Sequence, residues 1–221
     1  MFRDRSDAGR QLGELLAGGH DDAVVLGLPR GGVQVACEVA RALHAPLDVI
    51  AVRKLGVPAQ PELAMGAVGE GGVRVLDTDT VELAGVSRSE LEAVEARERE
   101  EMERRATVLR AGRARLPLQG RTAIVVDDGI ATGSTARAAC QAAREHGAAR
   151  VVLAAPVGPG DAWFGDVADE VVVLELPRWL SSIGEAYENF EQLSDEAVID
   201  LLDRAGGRDG DGDGEPPQSA G

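Results

Sequence analysis

The sequence predicts a doubly wound α/β fold, in which helices cover both faces of a five-stranded, mostly parallel sheet. Five short apolar runs alternate with helical segments along the chain, a pattern typical of repeated strand–helix–strand units. At residues 23–44 and again at 122–146, an apolar run passes through a glycine-containing loop into a helical segment. Right-handed crossovers between such units give, in the simplest arrangement, the strand order 2-1-3-4-5.

The N-terminal part of the fold is predicted from residues 6–52. Apolar residues at helical spacing predict a first helix over 6–17, which ends at a Gly-Gly pair. Residues 23–28 are expected to form a buried strand, and residues 33–44 the helix that follows the Pro-Arg-Gly-Gly turn. The apolar run 47–52 then supplies the second strand, parallel to the first.

Residues 56–112 interrupt this alternation. Two prolines and short alternating runs around the glycine-rich stretch 69–72 predict an inserted β-hairpin. Ser87 and Glu90 have the spacing of a capping box, which predicts the start of a long charged helix that runs to about Gly112. The mixture of acidic and basic residues is typical of a solvated helix with ion pairs on its outer face.

The C-terminal part returns to the α/β pattern. The predicted elements are strands at 122–127, 150–156 and 170–176, a helix to 146, a short helix at 160–167 and a closing helix at 195–204. We expect one domain over residues 1–205. The acidic, glycine-rich tail 206–221 has no apolar residues to bury and is expected to be disordered.

Composition narrows the classes of function. Lys and Arg number 23 against 38 Asp and Glu, so the net charge is −15, which disfavours nucleic acid or an anionic membrane as the main partner. No window reaches the roughly 18 apolar residues of a membrane span, and the N-terminus lacks an apolar signal core. These features predict a cytoplasmic protein.

The stretch from Thr122 to Arg137, TAIVVDDGIATGSTAR, carries most of the functional information. Its backbone N–H groups at a predicted helix N-terminus, with the helix dipole and nearby hydroxyl groups, can bind a phosphate. Asp127 and Asp128, at the end of the preceding strand, can accept hydrogen bonds from a ribose diol or approach Mg²⁺. A Walker A loop is the nearest alternative, but it requires a lysine that this loop lacks. The stretch therefore predicts a sugar-phosphate site.

The run IVVDDGIATGST resembles, without a break, the phosphoribosyl-pyrophosphate (PRPP) signature of type I phosphoribosyltransferases, which have a Rossmann-like fold. The resemblance implies that Asp127 and Asp128 hold the ribose 2′- and 3′-hydroxyls and that the loop holds the 5′-phosphate. It also implies Mg²⁺ as the cofactor, bound mainly through PRPP, with Asp127 and Asp128 as additional metal ligands. The implied PRPP-binding residues are Asp127, Asp128, Gly129, Ala131, Thr132, Gly133, Ser134 and Thr135.

A second loop is expected at the same crevice. The predicted strand order reverses between the first and third strands, which would bring the loops at 28–32 and 127–135 side by side. In the family that resembles this chain, the first of these loops binds pyrophosphate, often through a strained non-proline peptide bond, which Arg30-Gly31 would supply. Arg53 and Lys54 end the second predicted strand and could reach the same pyrophosphate. The implied catalytic set is Asp127, Asp128, Arg53 and Lys54, and the hairpin occupies the place of the family's mobile catalytic loop.

The resemblance extends over residues 1–205 to a group of bacterial proteins assigned provisionally to the phosphoribosyltransferases, through LPRGG, VRKLG and the closing Gly-x-x-Tyr-x-x-Phe. The wider resemblance to type I phosphoribosyltransferases implies an enzyme of nucleotide salvage that transfers a phosphoribosyl group to a nitrogenous acceptor, expected to be a nucleobase, with release of pyrophosphate. The bacterial group itself does not indicate which acceptor is used. Ala131 stands where enzymes for 6-oxopurines carry an acidic residue, so the loop looks more like the adenine type. A PRPP-binding regulator without catalysis and a ribose-phosphate hydrolase or phosphorylase are the alternatives, and a homodimer is left open.

The acceptor pocket is predicted from aromatic residues in a chain that has few of them. Trp179 and Tyr187 lie in an irregular segment after the last strand, and in this fold a terminal hood, here about residues 177–205, commonly covers the base. A flat base needs a stacking surface, which an aromatic ring provides. We expect Trp179 or Tyr187 to line the pocket, with core packing as the alternative role of these rings.

Overall fold

The computed structural model describes residues 1–159, 164–177, 179 and 181–206. In these ranges the α-helices are α1 (Arg5–Leu16), α2 (Gly31–Leu43), α3 (Thr78–Leu83), α4 (Arg88–Arg110), α5 (Ser134–Glu145) and α6 (Asp195–Gly206). The strands are β1 (Val24–Gly27), β2 (Leu47–Val49), β3 (Val52–Val57), β4 (Gln60–Gly69), β5 (Arg74–Leu76), β6 (Thr122–Val126), β7 (Arg150–Val157) and β8 (Glu170–Glu175). The predicted tail after residue 206 lies outside the described residues. So does the first half of the helix predicted at 160–167, and residues 165–167 form a turn.

The main sheet has five parallel strands in the order β2-β1-β6-β7-β8. Counted along the chain, this is the predicted order 2-1-3-4-5, and the doubly wound α/β class is confirmed. β1 and β6 are buried along their whole length. Because helices cover both faces of these strands, their sequences are apolar at almost every position and do not alternate with polar residues.

Alternate residues of the central strands belong to two separate cores. Ala123 and Val125 of β6 pack into the core that contains the alanine-rich face of α5. Ile124 and Val126 face the opposite core, which is formed with α1, α2 and α6. Since successive side chains of a strand point to opposite faces, each strand serves both cores. The sheet is therefore a rigid central layer for the loops at its ends.

The inserted segment differs from the predicted hairpin. It forms a second sheet of three antiparallel strands, in the order β3-β4-β5. The run 47–52, predicted as one strand, divides between the sheets, because β2 ends at Val49 and β3 begins at Val52. At the break, the backbone N–H of Ala51 donates to Glu70 Oε1 at 2.7 Å. Residues 49–52 around the break are all apolar, so the hydrophobic pattern alone did not indicate it.

A buried ion-pair network joins the inserted segment to the main sheet. Arg110, at the end of α4, donates through Nε to Asp48 Oδ1 at 3.2 Å and through Nη2 to Glu70 Oε1 at 3.0 Å. The exposed fractions of the Arg110, Asp48 and Glu70 side chains are 11%, 7% and 5%. Arg115 also pairs with Glu70. Burial alone would raise the pKa of Glu70, but the hydrogen bonds and charges of Arg110 and Arg115 hold this pKa below its ordinary value.

The α4 helix buries one stripe of its otherwise charged surface, and the spacing of Val94, Met102 and Leu109 in the sequence indicates this stripe. Ser87 and Glu90 form the predicted capping box. Val94, Met102 and Leu109 of this helix are buried.

In the described ranges no helix is both long enough and apolar enough to cross a lipid bilayer.

We expect Glu70→Gln to lower the free energy of unfolding by about 3 kcal/mol at neutral pH, because it leaves the buried Arg110 charge with less compensation. Chemical denaturation of both proteins measures this change. Glu92→Gln is the matched control, since Glu92 makes an exposed ion pair with Arg88 on α4 and should change stability little.

The effect of Glu70→Gln should also depend on pH. A carboxyl whose pKa is lowered on folding stabilises the protein above its unfolded pKa, near 4.5, and loses that contribution as the pH falls through the folded pKa. The stability difference between wild type and Glu70→Gln should therefore shrink below about pH 4.5. A difference that stays constant down to about pH 3 would contradict an ionised Glu70 in the network.

Candidate active site

The loop between β6 and α5 presents an open helix N-terminus next to two carboxylates. Asp127 and Asp128 follow β6 directly, and α5 begins at Ser134 after Gly133. Gly133 has φ +82°, in the left-handed region that favours glycine, and a Cβ at this position would lie 2.8 Å from Phe164 Cζ. In the described residues no side chain caps α5, and Ala131 is exposed. The first-turn N–H groups of α5 are thus suited to an anion.

The two carboxylates have unlike surroundings. Asp127 Oδ1 accepts the backbone N–H of Asp128 at 2.9 Å. Burial, followed by the negative charge of Asp128, raises the pKa of Asp127 well above its ordinary value, and the charge of Arg5 offsets part of this rise. Asp128 Oδ2 accepts a hydrogen bond from Arg5 Nε at 2.8 Å. The pair therefore combines a carboxyl with raised proton affinity and a carboxylate that carries its own counter-charge.

The loop at residues 28–32 lies directly against this pair, as predicted from the strand order. A Cβ on Gly31 would lie 1.9 Å from Asp128 Oδ2, and a Cβ on Gly32 would lie 2.7 Å from the Val126 carbonyl oxygen. Only glycine permits such an approach. The cis peptide bond of the loop joins Pro29 to Arg30, whereas the unusual bond was expected at Arg30-Gly31, one residue later.

The basic residues expected to bind pyrophosphate lie on different elements. Arg30, at the start of α2, has its Nη1 3.9 Å from Asp195 Oδ1. Arg53 lies in β3 and pairs through Nη2 with Glu98 of α4 at 3.0 Å. Lys54, also in β3, donates from Nζ to the carbonyl oxygen of Glu62 at 3.2 Å. The expectation that Arg53 and Lys54 end a strand of the main sheet is therefore wrong, because the chain enters the second sheet at Val52.

The two aromatic residues expected at the acceptor pocket differ in exposure. Tyr187 is buried, with ring centroids 5.6 Å from Phe2 and 5.1 Å from Phe190. Its hydroxyl donates to the Asp128 carbonyl oxygen at 2.6 Å, and burial raises the pKa of this hydroxyl. Tyr187 thus supports the acidic pair from within the hood, which favours the packing role given as the alternative for these rings, and its place in an acceptor pocket stays a prediction. Trp179 is 90% exposed.

Arg5 is a residue of the site that the sequence analysis did not identify. It lies in the first turn of α1, it is buried, and its Nη1 donates to the Glu191 carbonyl oxygen at 2.7 Å. Its guanidinium carbon lies 3.8 Å from the centroid of the Phe190 ring. A signal was available, since Arg5 continues the buried stripe formed by Ala8, Leu12 and Leu16 at helical spacing.

The residues present are suited to a metal ion that arrives with most of its own ligands. The described part of the chain contains no cluster of three or more His, Cys, Asp or Glu residues placed to hold a metal. Asp127 and Asp128 can offer carboxylate oxygens, the ligands that Mg²⁺ prefers, but one oxygen of each already accepts a hydrogen bond. This donor set fits Mg²⁺ bound to the phosphates of a ligand, with the pair as additional contacts.

Comparison with known proteins identifies the family. The model of the phosphoribosyl transferase domain matches residues 6–189. A Mycobacterium tuberculosis H37Rv protein, assigned provisionally by its name to the phosphoribosyl transferases, is 58% identical over 208 residues, which are 93% of this chain and 47% of that protein. The chain thus spans about half the length of the curated relatives it matches.

A similar fold is known from a crystal structure. The structure of TT1426 from Thermus thermophilus is 44% identical in sequence, with a TM-score of 0.76, and the match covers 91% of this chain and 97% of that one. Together with the signature loop and its geometry, the domain match leads to one conclusion: the chain belongs to the phosphoribosyl transferase domain family.

Proposed function

We propose that this chain binds PRPP and transfers its phosphoribosyl group to a nitrogenous acceptor, a nucleobase, with release of pyrophosphate. One observation carries the proposal: the paired carboxylates of Asp127 and Asp128 stand between the open N-terminus of α5 and the close-packed loop at residues 28–32. These three groups stand in the same order as the parts of PRPP that they would bind: the helix N-terminus for the 5′-phosphate, the carboxylates for the ribose diol and the loop for the pyrophosphate. The proposal places the protein in cytoplasmic nucleotide salvage.

The binding groups divide the ligand into three parts. The backbone N–H groups and hydroxyls from Ala131 to Thr135 hold the 5′-phosphate, where the dipole of α5 adds to the attraction. Asp127 and Asp128 accept hydrogen bonds from the ribose hydroxyls. Arg30 and the backbone of Gly31 bind the pyrophosphate.

The positive charges for the departing pyrophosphate come from two sources in this proposal. Asp127 and Asp128 would contact a Mg²⁺ ion that arrives bound to PRPP, and this ion would supply positive charge to the pyrophosphate. Arg53 and Lys54, carried on the second sheet, add positive charge near the pyrophosphate. The chain then mainly has to orient the ligand and exclude water from C1 of the ribose.

Release of pyrophosphate from PRPP, measured with and without a panel of nucleobases that begins with adenine, tests the function. Base-dependent release supports transfer, release without any base indicates a hydrolase, and tight PRPP binding without release indicates a regulator.

Asp127→Asn combined with Asp128→Asn should abolish productive PRPP binding. The double variant should still fold, but with lower stability, because the buried Arg5 charge loses its carboxylate partner. Circular dichroism confirms that the protein used in the binding measurement is folded. Each charged hydrogen bond is worth on the order of 1.5–3 kcal/mol. Undiminished PRPP affinity of the double variant in calorimetry would refute the assignment of the pair.

Gly133→Ala should weaken binding of ribose 5-phosphate at least about tenfold, because the added Cβ meets Phe164 and disfavours the positive φ that shapes the phosphate loop. Gly120→Ala is the matched control: Gly120 has φ +74°, a Cβ added to it would meet no atom within 4 Å, and it lies at the opposite end of β6. Both variants should lose about 1–2 kcal/mol of stability from the positive φ, and Gly133→Ala should lose more because its Cβ also meets Phe164, but only Gly133→Ala should lose affinity. Equal affinities would mean that the loop is only a turn.

Trp179→Ala tests the acceptor pocket. If the exposed indole stacks on the base, its removal should weaken binding of the base that supports pyrophosphate release about tenfold, since one such contact is worth about 1–3 kcal/mol. PRPP affinity should stay within about twofold of wild type. Leu83→Ala removes another highly exposed apolar side chain and should change neither affinity. An unchanged base affinity in Trp179→Ala would remove Trp179 from the pocket.

A further inference from the structure

The N-terminal helix reaches the acidic pair through one buried cation. The Arg5 side chain is 7% exposed and that of Asp128 is 16% exposed, and the two are joined at 2.8 Å. The same guanidinium donates to the Glu191 carbonyl oxygen and lies over the Phe190 ring. Arg5 therefore connects three parts of the chain: α1, the end of β6 and the hood.

Stability alone gives little reason for this ion pair. Taking two charges out of water costs free energy that their attraction often fails to recover, and apolar replacements of a buried pair are often as stable or more so. The hood has apolar partners at hand, because Phe2, Tyr187 and Phe190 already pack together around this region. A buried arginine that meets a residue of the proposed ribose site suggests a functional role.

The geometry limits how Asp128 can be oriented. Its Oδ2 is bonded to Arg5, and the same oxygen lies so close to Gly31 that no Cβ could stand between the two loops. Its backbone carbonyl is held by the Tyr187 hydroxyl at 2.6 Å. With Oδ2 and the backbone both fixed, Oδ1 is left with a defined direction as the acceptor for a ligand hydroxyl.

We propose that Arg5 is a positioning residue of the ribose site: it fixes the Asp128 carboxylate in the orientation that accepts a ribose hydroxyl. The inference rests on the proposed function of the acidic pair. Arg5 does not touch the ligand in this arrangement, and it acts only through Asp128.

The test compares two ligands that differ only in their ring hydroxyls. Ribose 5-phosphate has the diol, whereas tetrahydrofurfuryl phosphate has the five-membered ring and the phosphate but no ring hydroxyls. Arg5→Gln should lower the affinity for ribose 5-phosphate about tenfold, as expected for loss of one well-oriented charged hydrogen bond. The affinity for tetrahydrofurfuryl phosphate should change by less than about twofold. Calorimetry on both proteins gives the ratio of the two affinities, which a merely structural role of Arg5 would leave unchanged.

Two further variants sharpen the result. Arg5→Lys keeps a positive charge beside Asp128 and should restore part of the preference for ribose 5-phosphate, and it also serves as the test protein if Arg5→Gln does not fold. Arg3→Gln is the control, because the Arg3 side chain is 68% exposed and pairs with Asp7 instead of the site. Its affinity ratio should equal that of wild type.

The outcomes separate the inference from the function on which it rests. Equal losses for both ligands in Arg5→Gln, or no loss for either, would overturn the positioning role while the wild-type preference for ribose 5-phosphate still supported the site. A wild-type protein that binds the two ligands equally would overturn the ribose site itself, and the positioning role with it.

Discussion

Parallel pairing of β1 with strands on both of its sides is the constraint on which the site depends. β1 lies between β2 and β6, so the chain leaves β1 and β6 at the same edge of the sheet. The helices that follow, α2 and α5, pack on opposite faces. Since the two helices diverge, the loops that lead into them are left facing each other across a crevice. The position of the acidic pair beside the loop at residues 28–32 follows from this topology.

Close packing at the crevice then decides which residues can form it. Gly31 and Gly32 allow the backbone of one loop to touch the carboxylates and carbonyls of the other. Gly133 serves a different purpose, because its positive φ turns the chain into α5. The crevice thus needs glycine for two separate physical reasons, close approach and backbone conformation.

Buried arginines organise the carboxylates of this acidic protein. Arg110 joins Asp48 of β2 to Glu70 of the inserted segment, and Arg5 joins α1 to Asp128. A carboxylate that is buried with a guanidinium partner keeps a fixed direction and a compensated charge. The net charge of −15 is therefore compatible with an anionic ligand, because the acidic groups nearest the crevice are paired or oriented by N–H donors.

The sequence by itself determined the class of fold, the strand order and the position of the sugar-phosphate loop. Strands buried on both faces are apolar almost throughout, and the Asp-Asp-Gly-Ile-Ala-Thr-Gly-Ser-Thr loop is contiguous, so both signals are local. Only the tertiary structure decided that the run 47–52 divides between two sheets, that Tyr187 is buried beneath the site and that Arg5 joins the acidic pair. The Arg5–Asp128 contact spans 123 residues of sequence. No local pattern specifies such a partner, because it is the packing of α1 and the hood against the end of β6 that brings the two charges together.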